Sequence, residues 1–201
     1  MPESPAGACA AVVLAAGASR RLGQPKQLVR QGDETLLRRT ARLAVEAGCA
    51  PVVVVLGFEA ERMRPELAGL PVQVLTHPAW AEGMGSSLRC GVAAVLSGDT
   101  GSPPDGVLLL VCDQPRLSRQ HLLTLLDRHR TRGAPLTASL YAGRAGVPAV
   151  FAPEVFPELL AVEGDRGARE VIRAWGERVE TVPWPDGAFD LDLPEDFDRI
   201  D

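Results

Sequence analysis

The sequence predicts an α/β fold, a three-layer α/β/α sandwich around a mostly parallel, Rossmann-like sheet. Short, continuous Val- and Leu-rich runs at Ala10–Ala16, Val52–Leu56 and Val107–Cys112 have the pattern of strands buried on both faces of a parallel sheet. Between them lie segments with apolar residues at helical spacing, and strand, helix, strand order implies right-handed crossovers. A chain of 201 residues, 46% apolar and 23% charged, fits one domain over 1–201 whose core needs neither a disulfide nor a structural metal.

Taken in order, the first run feeds a Gly- and Ala-containing stretch that ends at Lys26. Thr35–Ala47 reads as a helix with Leu36, Leu37, Ala41, Leu43 and Ala44 on adjoining stripes and Gly48 placed to end it. Ser86–Leu96 and Ser118–His129 repeat that pattern, with Ser118 as N-cap, and Ser97–Asp105 is the one sizeable loop. Leu136–Leu140 and Val147–Phe151 read as a hairpin about the Gly143–Gly146 turn, inserted near the sheet edge. Arg166–Trp175 reads as a helix burying Val171, Ile172 and Trp175, and Arg178–Pro183 as a last strand. His121 and His129, in one helical segment, are expected at the surface.

Composition excludes several function classes. The net charge of −5 and an aromatic content of 4% argue against nucleic acid as a partner. No run reaches the 18 or so apolar residues of a membrane span. The apolar run at Ala8–Ala16 is preceded by Glu3 and no Lys or Arg, so it does not resemble a secretory signal. Cys9, Cys49, Cys90 and Cys112 show no metal-ligand or redox spacing and read as small hydrophobes in a cytoplasmic protein. Basic residues concentrate between 20 and 42 and acidic ones between 186 and 201, a polarity that points weakly to a site handling both an anion and a cation.

In an open parallel sheet, ligands bind beyond the carboxyl ends of the strands. There the first strand delivers Leu14, Ala15, Ala16, Gly17 and Ser19, small residues whose backbone amides can cradle phosphate oxygens, with Arg21 and Lys26 adding positive charge. The loop is neither a Walker A loop, since five residues separate Gly17 from Gly23, nor a G-x-G-x-x-G fingerprint. Lys26 is the single lysine among 21 Lys and Arg side chains, and a site needing a compact, flexible point charge does not accept a planar guanidinium. Asp113, closing the run Val107–Cys112, stands where Mg²⁺ would bridge protein and phosphates, and the tail offers Asp190 and Asp192 as a second carboxylate.

These residues resemble the MobA-like nucleotidyltransferases, and among them the molybdenum cofactor cytidylyltransferase branch. The resemblance rests on the Leu14–Leu28 loop with its Lys26-Gln27-Leu28, on Gly83-Met84-Gly85-Ser86-Ser87-Leu88, and on Cys112-Asp113-Gln114-Pro115. It continues through the Gly143–Pro148 turn, Gly164–Arg169 and Asp190–Asp196. The motifs run the whole chain in the family's order. Val147 stands where His is frequent, Leu193 where Thr is, and His77 where Asn is.

The resemblance implies a nucleotide-diphospho-sugar transferase-like fold and a nucleotide held by Leu14, Ala15, Ala16, Gly17, Ser19, Arg21, Lys26, Ser87 and Asp113. Arg21, Lys26 and Asp113 would carry catalysis, Asp113 and Asp192 would hold Mg²⁺, and Gly146, Pro148, Arg144 and Arg169 would face the acceptor. The implied reaction moves CMP from CTP to the phosphate of a pterin acceptor, molybdopterin cofactor, and releases pyrophosphate. The acceptor phosphate is already an anionic nucleophile, so none of the histidines needs a catalytic role. Ala15-Ala16-Gly17 and Gln114 favour CTP over GTP, and a molybdoenzyme or its chaperone is the partner such a product implies. The alternatives are a guanylyltransferase or sugar-phosphate nucleotidyltransferase and, from another class, a non-catalytic nucleotide-binding or cofactor-delivery module. A nicotinamide oxidoreductase is disfavoured by the absent fingerprint.

Overall fold

A computed structural model describes residues 9–19, 22–98, 103–191 and 196. In chain order, β1 (Ala10–Ala15) leads through the short pair β2 (Arg30–Gln31) and β3 (Glu34–Thr35) to α1 (Leu36–Glu46) and β4 (Val52–Leu56). Then come α2 (Ala60–Met63), β5 (Gln73–Thr76), α3 (Met84–Leu96), β6 (Val107–Val111) and α4 (Arg119–Arg132). Strands β7 (Leu136–Tyr141) and β8 (Arg144–Phe151), helices α5 (Phe156–Leu160) and α6 (Ala168–Trp175), and β9 (Val179–Pro183) complete the order.

The main sheet has seven strands in the order β5-β4-β1-β6-β8-β7-β9. Every pairing is parallel except those of β8 with β6 and with β7. The three apolar runs thus become the adjacent strands β4, β1 and β6. Alternation along β1 supplies both layers: Ala11, Val13 and Ala15 pack with Leu37, Ala41 and Leu122 on one face, while Ala10 and Val12 pack with Leu88, Val92 and Val107 on the other. Thr35 caps α1 by accepting from the Arg38 N–H, and Ser118 caps α4 by accepting from the His121 N–H.

One expectation holds and two are corrected. The hairpin lies near the sheet edge as expected, with β8 wedged between β6 and β7 and only β9 outside β7. The place of β8 rests on Ala149, Val150 and Phe151, which are fully buried and so fill an interior strand. Strand β5, which the sequence reading omits, is a four-residue edge strand without the buried run that marks the central ones. The histidines are interior rather than surface, because α4 lays one face on β7. His121 is 8% exposed and His129 7%; the His121 ring stacks on Trp184 at 4.7 Å between centroids. Its Nε2 lies 2.8 Å from Ser139 Oγ, and Ser139 donates its own proton to the Pro148 carbonyl at 2.7 Å. The Nε2 of His121 therefore carries a hydrogen. His129 Nδ1 meets the Thr137 hydroxyl at 3.2 Å. Burial pushes the His121 pKa down to about 4 and lowers that of His129 as well.

Cys49 and Cys112 are buried, Cys9 and Cys90 half-buried, and all four are free thiols. The basic cluster also has an internal explanation. Arg38 donates to the carbonyls of Glu66 and Ala68, Arg39 to Gln31 and the Leu117 carbonyl, and Arg42 pairs with Glu34 and Glu46. Those guanidinia tie α1 to its neighbours instead of awaiting an anion. The expected loop at Ser97–Asp105 lies partly outside the described residues. Among the described residues no helix is long and apolar enough to cross a membrane.

Candidate functional site

Where β1 and β6 end side by side, their loops leave a cavity of about 670 Å³. Leu14, Ala16 and Gly17 line it from β1, and Val111, Cys112 and Asp113 from β6. Ser19 and Lys26 reach it from the loop, while Ser87 and Met84 come from the first turns of α3, and Asp165 from the segment before α6. Ala15 is 1% exposed and supports the loop from beneath.

The loop is shaped by one side chain to which the sequence analysis assigns no role. Gln27 is buried, and its Nε2 donates to the carbonyls of Ala15 at 3.1 Å and Gly17 at 2.8 Å. Its Oε1 accepts from Ser19 Oγ at 3.4 Å, and Ser19 in turn accepts from the Lys26 N–H at 3.1 Å. Both amide hydrogens and the carbonyl of Gln27 are thereby engaged inside the loop, which fixes its curve without help from a ligand. Pro25 then starts a single 3₁₀ turn at Lys26–Leu28 that directs the lysine back toward β6. The signal available in the sequence is a Gln directly after the lone Lys within the motif.

Lys26 Nζ forms an ion pair with Asp113 Oδ2, although 87 positions separate them in sequence. The two side chains are 22% and 20% exposed, so the pair is sheltered yet reachable from the cavity. Burial first, then repulsion from Asp113, pushes the neighbouring Cys112 thiol up to about 12, which removes it as a thiolate nucleophile.

A second contributor that the sequence reading misses is Leu191. It is fully buried with Leu22, Val29 and Leu36, and its N–H donates to the Asp113 carbonyl at 2.9 Å. The chain up to Leu191 thus returns to the site and ties the loop residue Leu22 and the backbone of Asp113 to one apolar cluster. Asp190 precedes Leu191; Asp192 and Arg21 lie outside the described residues.

The residues assigned to the acceptor fall into two groups. Gly146 and Pro148 are buried within the hairpin and do not line the cavity. Gly146 lacks a side chain because a β-carbon there would stand 2.4 Å from Tyr141 Oη. Pro148 supplies the carbonyl that Ser139 holds. Arg144 and Arg169 are exposed, at the start of β8 and in the first turn of α6, and neither forms an ion pair with a described residue. Tyr141 and Gln114 both donate to the Val147 carbonyl, each at 3.0 Å. Burial raises the Tyr141 pKa, Asp190 raises it further and Arg169 opposes them, so both charges act at this end of the hairpin. Gln114 Oε1 is buried without a hydrogen-bond partner among the described residues.

Among the described residues no three His, Cys, Asp or Glu side chains gather into a metal cage. Asp113 at the cavity still fits a hard cation that takes one or two protein carboxylates and completes its shell with phosphate and water.

Known proteins match over nearly the whole chain. It is 31% identical to the nicotine blue oxidoreductase of Paenarthrobacter nicotinovorans over 94% of each chain. It is 40% identical to the probable molybdenum cofactor guanylyltransferase of Synechococcus elongatus over 111 residues, 54% of this chain and 52% of that one. The crystal structure of Rv0371c from Mycobacterium tuberculosis H37Rv superposes with a TM-score of 0.82 at 30% identity over 97% of both chains. A further structure of that mycobacterial protein is a complex with manganese, similar here with a TM-score of 0.78 at 27% identity over 97% of this chain and 98% of that one. The sheet is that of the nucleotide-diphospho-sugar transferase fold. Residues 11–180, which hold the Gln27-braced loop, the start of α3 and Asp113, match the MobA-like NTP transferase domain, and the chain belongs to that family.

Proposed function

We propose that the protein is a Mg²⁺-dependent nucleotidyltransferase that moves CMP from CTP to the terminal phosphate of molybdopterin cofactor and releases pyrophosphate. The observation that carries this reading is the pairing of the only lysine with the carboxylate that closes the neighbouring strand, at the mouth of a loop already curved to receive an anion.

In this mechanism the triphosphate enters the loop at Gly17–Lys26 and offers Lys26 a denser anion than Asp113, so the ammonium turns to the phosphates and the Asp113 oxygens are released. Asp113, with Asp192, would hold the divalent cation, which when bound supplies charge neutralisation on the α-phosphate. An acceptor phosphate oxygen attacks the α-phosphorus in line, the bond to the β-phosphate oxygen breaks, and pyrophosphate departs carrying its electron pair. No proton has to be removed from the nucleophile. The chain's own contribution is placement and electrostatics: Lys26 and Arg21 on the phosphates, and the amides of the loop behind them. Ser87 lies at the nucleotide. Arg169 and Arg144, without ion-pair partners among the described residues, stand toward the hairpin as bidentate sites for the acceptor phosphate.

A guanylyltransferase is the second reading, favoured by the identity to the cyanobacterial guanylyltransferase. Pyrophosphate release measured with each of the four NTPs, with and without molybdopterin, tests both. The expected result is release that requires a divalent cation and molybdopterin and is fastest with CTP. Preference for GTP selects the second reading, and nucleotide binding without release under every condition overturns both in favour of a delivery module.

A further inference from the structure

We propose that Trp80 is the platform on which the nucleobase of the bound nucleotide stacks, an inference that rests on the nucleotide site described above and gives it a base subsite. Among the described residues lining the cavity, Trp80 is the only aromatic ring. It also lines an adjoining cavity of about 390 Å³ together with Phe58, Arg62 and Gln24, and shares both linings with Ala18 and Ser19.

The ring is held in place by three neighbours. A β-carbon on Gly57 would lie 2.6 Å from Trp80 Cβ, 2.7 Å from its Cγ and 2.8 Å from Ala16 Cβ. Only a glycine at the end of β4 lets the tryptophan come against the loop that β1 delivers. Phe58 meets the indole edge to face, with centroids 5.5 Å apart and planes at 68°. The backbone N–H of Trp80 donates to the His77 carbonyl at 3.3 Å, and His77 Nε2 lies 3.0 Å from Ser86 Oγ. Ser86 donates to the Gly83 carbonyl at 2.8 Å, so the histidine is the donor in that contact and the Trp80 turn is fastened to α3.

The cavity offers both charge and apolar surface. Its lining joins the charged Lys26, Asp113 and Asp165 to the half-buried Trp80 and to Met84, whose 53% exposure is the highest among the large apolar residues described. A fold that keeps two such side chains open to a cavity that also holds an ammonium and carboxylates has a surface matched to a ligand with a planar ring and a phosphate chain. Stacking on a fixed ring is tolerant of base identity. Trp80 thus supplies affinity common to CTP and GTP, and discrimination between them falls to other residues.

Calorimetric binding of CTP, GTP and inorganic tripolyphosphate to the wild type, Trp80→Ala, Trp80→Leu and Trp80→Phe tests this, with tryptophan emission recorded in parallel. Trp80→Ala is expected to raise the Kd for both nucleotides on the order of tenfold and to leave tripolyphosphate unchanged. Trp80→Phe is expected to restore most of the affinity and Trp80→Leu, which keeps apolar bulk without a ring, little of it. Because Trp175 and Trp184 are buried at 8% and 5% exposure, CTP should quench emission of the wild type and not of Trp80→Phe. Unchanged CTP and GTP affinity in folded Trp80→Ala overturns the platform and leaves the nucleotide site standing. Equal weakening of CTP, GTP and tripolyphosphate in Trp80→Ala overturns it too, because the ring would then act on the phosphates or the shape of the cavity and not on the base. Failure of the folded wild type to bind either nucleotide removes the site and the platform together.

Discussion

Strands β4, β1 and β6 bury aliphatic side chains on both faces and carry their chemistry in loops beyond their carboxyl ends. Strand β7 instead holds polar groups in the interior: Thr137 and Ser139 are fully buried, and their hydroxyls meet His129 and His121 from α4. The first region needs only its hydrophobic sum, and the loop after β1 takes its curve from its own hydrogen bonds, those of Gln27 above all. The second depends on each buried hydrogen bond being made, because an unpaired group there loses its water and gains nothing. On the proposed function, the nucleotide would be held by loops supported by packing, and the acceptor would meet a hairpin supported by a polar network running from His121 through Ser139 to the Pro148 carbonyl.

Substitutions probe that contrast from both ends. Leu110→Ala, at a fully buried position on β6, should destabilise the fold by about 2–5 kcal/mol in urea unfolding, since the packed surroundings collapse only partly; a loss below about 1 kcal/mol would mean that the parallel half does not rest on packing. Lys26→Ala and Asp113→Asn should each remove on the order of 3 kcal/mol of transition-state stabilisation, roughly 100-fold in kcat/KM for pyrophosphate release, with the melting temperature little changed because the pair is near the surface. Near-wild-type turnover in either variant would withdraw the catalytic assignment.

On the hairpin side, Ser139→Ala should cost about 1–3 kcal/mol by stranding the His121 N–H and the Pro148 carbonyl. It should also raise the KM for the acceptor more than that for the nucleotide. Equal effects on the two KM values would show that the network does not belong to the acceptor side. The smallest effect is one of pH. The folded pKa of His121, about 4, lies below its ordinary value of 6.5, so between those values the unfolded chain binds more protons. The stabilising contribution of the neutral ring is complete above about pH 6.5 and is lost as pH falls through about 4. Thermal melts from about pH 7 to about pH 4 should show His121→Gln losing less than the wild type, a difference on the order of 5 °C; parallel curves would remove the histidine from the stability account.

Much of the cavity between β1 and β6 is legible in the amino-acid sequence. The runs ending at Ala16 and Cys112 announce adjacent strands, and because loops at the carboxyl ends of parallel strands converge, the solitary lysine and Asp113 can be placed together across 87 residues. The role of Gln27 is hidden in its two carbonyl partners, which become its neighbours only when the loop closes. Leu191 is hidden because one leucine in an acidic tail carries no periodicity. For the histidines, polarity alone argues for solvent, and only Thr137 and Ser139 on a strand beneath the helix make burial acceptable.

The α/β class, the central strands and the anion-ready loop follow from the order of residues alone, because hydropathy runs, small residues and a single lysine are local properties written in consecutive positions. Folding in three dimensions decided that two histidines are buried against β7, that Leu191 returns to pack on Leu22 and that Trp80 stands against Gly57 and Ala16. Those outcomes depend on which surfaces and hydrogen-bond partners meet after the chain has collapsed, and partners so distant along it leave no pattern in any one stretch.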